Sequence, residues 1–308
     1  MNYKIAVYTD AGAEKKNNQD SCGIRRAADN RGHEMVFAVL CDGMGGIQQG
    51  ELASAEVVSS LTQWFDNHVK EIYTKSFTDF NFVREQLNQQ FAAIHQRMVQ
   101  YAHHNGIRLG TTMTAFLSCH GRYLTVNIGD SRIYEYTTVL KQLTQDQSLV
   151  AREVALGRIT EEEAQHHPQR NVLLQCIGQG NQITPMYTEG RVVNNSVYLL
   201  CSDGLVHELS KQEIENALST MRRAERDILT DCLISLTEHC KKKGETDNIT
   251  GILITAAESF ISNEKAGFSK VLKNILKKKQ EFEEQHEITE VQMIESGMLI
   301  HTNGRVII

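Results

Sequence analysis

The stretch Glu34-Met35-Val36-Phe37-Ala38-Val39-Leu40-Cys41-Asp42-Gly43-Met44-Gly45-Gly46 couples an unbroken apolar run to a carboxylate and a glycine-rich loop. Seven apolar residues, Met35 to Cys41, fall far short of the roughly 18 needed to span a bilayer, but they suit a strand buried at the centre of a sheet. A carboxylate at the end of such a run needs a partner, because an unpaired charge is costly in apolar surroundings. The following Gly43-Met44-Gly45-Gly46 has no Lys-Ser/Thr and no G-x-G-x-x-G spacing, so it is neither a Walker loop nor a dinucleotide fingerprint. Its flexible backbone, opening a helix beside Asp42, can offer a carbonyl to a cation and let a substrate come close.

Outward from this point the chain alternates between sheet and helix. Upstream, Lys4–Thr9 and Asp20–Ala27 read as strands, with a turn at Asp29-Asn30-Arg31-Gly32. Downstream, Leu52, Ala55, Val58, Leu61, Phe65 and Val69 recur every three or four residues, as do Phe80, Val83, Leu87, Phe91, Ile94, Met98 and Tyr101. These predict two long helices, with Met98 and Tyr101 in the core and a stop at Asn105-Gly106. Strands return at 111–119, 122–130 and 131–137, a polar excursion occupies 144–180, and strands at 188–193 and 196–204 precede helices near 211–219 and 224–243 and a last strand at 248–256. Helices grouped between runs of antiparallel strands predict an α+β layered domain over about residues 1–256.

Composition narrows the function. The chain has 308 residues, 41% hydrophobic and 23% charged, which excludes disordered and fibrous classes. Its net charge of -6, with no strong basic patch before the C-terminal part, makes nucleic acid a poor ligand. Seven cysteines include no C-x-x-C pair, and most lie within apolar runs, so neither structural zinc nor a disulfide framework is expected. With no secretory pattern and no transmembrane segment, the sequence reads as cytoplasmic.

The aspartates carry the chemistry. Asp20, Asp42, Asp130, Asp203 and Asp247 all fall at ends of predicted strands, where one edge of a sheet can gather them. Aspartate at a strand end also serves ordinary turns. The run before Asp203, like that before Asp42, is unusually apolar, and no His or Cys accompanies the set. An all-oxygen cluster suits magnesium or manganese rather than zinc or copper. G-x-S-x-G and H-E-x-x-H are absent, and the pairs His103-His104 and His166-His167 lie in polar stretches typical of solvated helix ends. One of Lys15 and Lys16, just before Asp20, is a candidate phosphate contact.

Seven ordered motifs resemble the metal-dependent protein phosphatase family, protein phosphatase 2C, especially its bacterial branch: T-D-A-G with N-N-Q-D at 9–20, C-D-G-M-G-G at 41–46, G-T-T at 110–112, N-I-G-D-S-R-I-Y at 127–134, H-P-Q-R-N at 167–171, C-S-D-G-L at 201–205 and T-D-N-I-T at 246–250. The resemblance implies an α+β fold, a four-layer α-β-β-α sandwich of two antiparallel sheets flanked by helices, with a dinuclear metal site at one end. It implies that Asp42 bridges two manganese or magnesium ions, Gly43 gives a carbonyl, Asp20 holds a water on a metal, Asp203 and Asp247 complete the second ion, and Asp130 joins Asp203 at a weaker third. A metal-bridging hydroxide would then attack phosphoserine or phosphothreonine in line, with Asp42 and Asp203 as the central catalytic ligands and no covalent nucleophile.

The expected partners are phosphorylated proteins, among them a serine/threonine kinase, and the protein is expected to be a monomer. Residues 144–180 correspond to the flap segment that borders the active site in this family. Lys15 stands where the family often has arginine, Gln19 where many members have glutamate, and Met44 where animal members have histidine. These departures leave two alternatives, a catalytically weak binding or scaffold protein and a phosphatase of small phosphorylated metabolites. Residues 257–308 form a C-terminal extension outside the resemblance. There Phe268, Val271, Leu272, Ile275 and Leu276 oppose Lys270, Lys273, Lys277, Lys278 and Lys279 in a predicted basic amphipathic helix, and residues 297–308 read as a hairpin.

Overall fold

The computed structural model describes residues 1–45, 49–257, 291–300 and 304–305. The apolar run proves central to it. In β3 (Glu34–Gly45), Met35, Phe37, Val39 and Cys41 face a core shared with helices, while Val36, Ala38 and Leu40 face a second core between two sheets. A strand buried on both faces has no reason to alternate, which is why the sequence shows seven apolar residues in a row.

Every strand pairing is antiparallel. One sheet contains β1 (Asn2–Asp10), β7 (Arg132–Tyr136), β8 (Leu140–Gln142), β10 (Ser196–Cys201), β11 (Ile249–Ala257) and β13 (Gly304–Arg305), in the order β13-β1-β11-β10-β7-β8. The other contains β2 (Asp20–Asp29), β3, β5 (Met113–Cys119), β6 (Arg122–Ile128), β9 (Met186–Arg191) and β12 (Val291–Ile300), in the order β12-β2-β3-β5-β6-β9, with β4 (Leu109–Thr111) paired to the end of β3. Tyr198, Phe116 and Tyr123 interlock between the sheets, with ring centroids 4.6 and 5.6 Å from Tyr198. Side chains of this size each stabilise by roughly 1.5–3 kcal/mol when buried.

The long helices α1 (Gln49–Lys75) and α2 (Asn81–Asn105) cover the second sheet. Phe65 of α1 stacks on Phe37 at 5.1 Å, and Gly106 in the left-handed region closes α2, as the Asn-Gly stop predicts. The one-turn α5 (Asp203–Val206), α6 (Lys211–Thr220) and α7 (Arg226–Lys243) pack on the first sheet. The result is the expected four-layer α-β-β-α sandwich. The polar excursion carries two short helices, α3 (Leu149–Ala155) and α4 (Glu161–Gln165), the latter closed by a capping box between Thr160 and Glu163.

Three expectations change. Met98 is buried, but Tyr101 and Leu52 are 48% and 45% exposed. Helical spacing places them on the inward stripes, yet both line an open groove of about 310 Å³ between α1 and α2, together with Met98 and Leu109. The predicted strand 111–119 breaks at Thr112, whose N–H turns to the Asp42 carbonyl at 2.9 Å. Finally, among the described residues of the predicted hairpin, 297–300 and 304–305, β12 pairs with β2 in one sheet and β13 with β1 in the other, rather than with each other. The main-chain donors and acceptors along the outer edges of β1 and β2 offer more pairing than the two short tail segments offer each other. The predicted amphipathic helix at 268–279 lies outside the described residues.

Candidate active site

The aspartates meet at one end of the sandwich because the strands that carry them all turn there. Asp20 opens β2 and stands directly opposite Asp42 in the β2–β3 ladder. Asp42 lies within β3 rather than after it, since β4 extends the pairing past it, Gly43 opposite Thr111. Asp203 starts α5 two residues beyond β10, Asp247 stands two residues before β11, and Asp130 sits in the turn between β6 and β7. Cys201 and Gly251 pair at the corresponding ends of β10 and β11, so both sheets contribute.

Dense polar bonding fixes these positions. The Thr250 hydroxyl of β11 donates to Asp20 Oδ2 at 2.6 Å, tying one sheet to the other, and Thr250 is itself held by Thr9 at 2.6 Å. The Asp42 carbonyl accepts from the Thr111 hydroxyl at 2.8 Å, and the Asp42 N–H donates to the Thr112 hydroxyl at 3.0 Å. This explains the G-T-T motif: its threonines brace the backbone on either side of Asp42. The Asn248 amide donates to the carbonyls of Ala11 and Asn17 and accepts from the Gln19 N–H, at 2.9, 3.1 and 2.9 Å.

Two glycines are required by close approach. A Cβ at Gly43 would lie 2.1 Å from the Gly50 carbonyl oxygen, and one at Gly204 would lie 2.3 Å from that of Asn248. The Asp-Gly pairs at 42–43 and 203–204 therefore pack backbone against backbone, and any larger residue would separate the elements that gather the carboxylates.

The electrostatics are those of crowded like charges. Burial pushes the Asp20 carboxyl up to about 7, with Asp203 and Asp247 adding to the effect against the Thr250 hydrogen bond. Burial raises Asp130 to about 8, assisted by Asp203 and Asp146. Asp42 is pushed well above the usual carboxylate range by burial and then by Asp20, Asp203, Asp247 and Asp130, and Asp203 is raised by burial in spite of His207. The positive groups stand at the margin. Lys15 Nζ reaches Asp247 Oδ1 at 2.8 Å; burial works against its charge, but Asp247, Asp42 and Asp203 outweigh that and raise its pKa.

The donor set fits a hard divalent cation. It consists of oxygens alone, and Asp20 Oδ1 and Asp203 Oδ1 are buried without a hydrogen-bond partner, an arrangement that costs free energy until a cation or proton satisfies them. Among the described residues no three His, Cys, Asp or Glu side chains form one ready-made coordination sphere; Asp247 engages Lys15 and the Asn248 N–H instead.

The polar excursion borders the site. Ile177 and Thr111 exchange backbone hydrogen bonds at 2.9 and 3.0 Å, and Gln147 and Gly129 are linked at 2.9 Å, beside Asp130. The sequence holds Thr112 and Thr250 within motifs without giving either a role, and it does not single out His207 or Glu245. Their signals are only local: His207 lies four residues after Asp203, and Glu245 two before Asp247.

Residues 10–239 match the family model for protein phosphatase 2C. The protein phosphatase PhpP of Streptococcus pneumoniae is 32% identical over 263 residues, which span 83% of this chain and 98% of PhpP. The Streptococcus agalactiae serine/threonine phosphatase superimposes with a TM-score of 0.71 at 28% identity, covering 83% of this chain and 100% of that one. The catalytic domain of the serine/threonine phosphatase PstP in complex with two manganese ions superimposes with a TM-score of 0.66 at 27% identity, covering 83% and 99%.

Fold and sequence therefore agree on a protein-serine/threonine phosphatase, and the chain belongs to the protein phosphatase 2C family. No described helix is long and apolar enough to cross a membrane.

Proposed function

We propose that this protein-serine/threonine phosphatase uses the acidic cluster to hold two divalent cations, manganese or magnesium, and hydrolyses phosphoserine and phosphothreonine in proteins. The observation that carries the reading is the pair of buried, unsatisfied carboxylate oxygens on Asp20 and Asp203, flanking Asp42, which lies opposite Asp20. Asp42 would serve both ions, with the Gly43 carbonyl and Asp20 toward one and Asp203 and Asp247 toward the other. Asp130 with Asp203 would hold a weaker third.

Bound there, the ions supply a hydroxide at neutral pH and neutralise the phosphoryl oxygens, which makes in-line hydrolysis possible without a covalent intermediate. The chain's own part is positional. Thr250 holds Asp20 by one oxygen and leaves the other free, and Thr111 and Thr112 keep the Asp42 backbone from shifting. Lys15 exchanges its bond to Asp247 for the substrate phosphate, a point charge where arginine would grip with two bonds. The excursion at 144–180, hydrogen-bonded to the rim, meets the polypeptide around the phosphoresidue. Its substrates would include a serine/threonine kinase of the same cell and that kinase's targets. That no described cysteine is joined in a disulfide supports a cytoplasmic, reducing setting, and we read the working form as a monomer.

The test is hydrolysis of a phosphothreonine peptide and of p-nitrophenyl phosphate with added manganese. Activity abolished by EDTA and reduced at least about 100-fold in Asp42→Ala and Asp203→Ala is expected; a wild-type protein inactive on both substrates with manganese would overturn the reading.

A further inference from the structure

We infer that His207 and Glu245 act as a positioning pair that aligns Asp203 and the Asp247 turn for the cation. The inference rests on the metal-dependent reading and adds to it two residues outside the seven motifs. Asp203 and His207 are four residues apart at either end of α5, so their side chains share a face. His207 Nε2 lies 3.4 Å from Asp203 Oδ2, and Nδ1 lies 3.3 Å from Glu245 Oε2. The other Glu245 oxygen accepts from the backbone N–H groups of Thr246 and Asp247 at 2.7 and 2.8 Å.

A continuous path thus runs from one carboxylate, through an imidazole and a second carboxylate, to the backbone of another member of the cluster. Both ends are anchored. The Glu245 N–H bonds to the Cys240 carbonyl at the end of α7 at 3.1 Å, and the His207 N–H bonds to the Asp203 carbonyl at 2.9 Å. Glu245 is only 4% exposed and His207 is largely buried, so neither side chain is free to wander.

The asymmetry at Asp203 gives the pair a function beyond charge balance. Its Oδ2 lies within ion-pair range of His207 Nε2, while its Oδ1 is buried and without a hydrogen-bond partner. Holding one oxygen fixes the plane of the carboxylate and leaves the other lone pairs for a cation, as outer partners of metal ligands generally do. The two N–H bonds to Glu245 likewise fix the turn from which the Asp247 side chain projects. Two ligands on separate elements, α5 and the α7–β11 loop, are thereby held in one alignment.

The experiment is manganese titration of the full-length protein by calorimetry, with wild type, His207→Gln, Glu245→Gln and the double variant, alongside thermal unfolding of the metal-free forms. The expected result is that one of the two manganese ions binds about tenfold more weakly in His207→Gln. Glu245→Gln should shift the same ion in the same direction, and the double variant should be no worse than His207→Gln, since both act on one path. The manganese concentration giving half-maximal hydrolysis of p-nitrophenyl phosphate should rise by the same factor. Should His207→Gln fail to fold, Glu245→Gln, which keeps an acceptor for the two N–H groups, decides. Folded variants with manganese affinities within twofold of wild type would overturn the inference while leaving the phosphatase reading intact. A wild-type protein that binds no manganese would overturn both.

Discussion

Asp20 and Asp42 face each other directly across antiparallel strands, a placement of like charges that ordinarily destabilises a sheet. Burial raises both pKa values, with Asp203 and Asp247 adding to it at Asp20 and Asp20 adding to it at Asp42, so the strand pair is held together against the electrostatics of the acidic cluster. Asp42→Asn is therefore expected to abolish hydrolysis while making the metal-depleted protein more stable by at least about 1 kcal/mol, roughly 2–4 °C in melting temperature for a domain of this size. Differential scanning calorimetry in EDTA checks it; a variant less stable than wild type would show that the carboxylates are not in conflict.

The same repulsion sets the pH response of the metal-depleted protein. Asp20 titrates near 7 and Asp130 near 8 in the fold, against 3.8 ordinarily. Between those limits the folded state binds more protons than the unfolded chain, so stability falls as pH rises. The melting temperature in EDTA should be highest near pH 5 and decline toward pH 8. Manganese at about 100 times its dissociation constant should restore about 2.7 kcal/mol at pH 8. A melting temperature flat from pH 5 to 8 would count against the cluster.

A carboxylate of the opposite kind lies at the far end of the sandwich. Asp29 is buried, which alone would raise its pKa, but the hydroxyl of Tyr73 at 2.7 Å and the backbone and ring of His33 at 2.8 and 2.9 Å lower it below the ordinary value. Its contribution is present above about pH 4 and is lost as pH falls through the lowered value. Tyr73→Phe should cost about 1.5–3 kcal/mol at pH 7, the range for a hydrogen bond to a charged group. The difference from wild type should shrink below pH 4, as urea titrations at several pH values would reveal.

Lys15 sits beside the carboxylates as a single charged point. Replacing it with alanine should raise KM for a phosphopeptide about tenfold with a smaller change in kcat, because the lost contact binds phosphate in ground and transition states alike. Lys15→Arg should lower KM through a bidentate grip. Steady-state kinetics on one phosphothreonine peptide would decide, and unchanged KM values in both variants would remove Lys15 from the phosphate site.

The C-terminal strand β12 is joined to the domain by side chains as well as by its ladder. Glu295 reaches Arg26 at 3.1 Å and Arg226 at 3.0 Å, linking β2 and α7. Because β2 begins with Asp20, Glu295→Ala should destabilise the protein by about 1 kcal/mol, within the range of partly exposed ion pairs. A measured change of zero would mark β12 as an appendage held by its backbone alone.

Much of this molecule is legible along the chain. Apolar periodicity reveals the two long helices, because a helix packed on a sheet must repeat its buried face every three or four residues. The run from Met35 to Cys41 announces a strand buried on both faces, and the ordered motifs announce the family through their resemblance to protein phosphatase 2C. What the tertiary structure alone decided concerns residues far apart in sequence. Asp20 stands opposite Asp42 only because β2 pairs with β3 in one register, and Thr250 reaches Asp20 only because the two sheets stack. Glu245 meets His207 across 38 residues, a separation for which no local pattern exists. Tyr101 is exposed because it lines an open groove between two helices, and the tail strands part between two sheets because each finds an open edge. Periodicity records which face of an element is buried, whereas register, stacking and edge pairing depend on the other elements it meets.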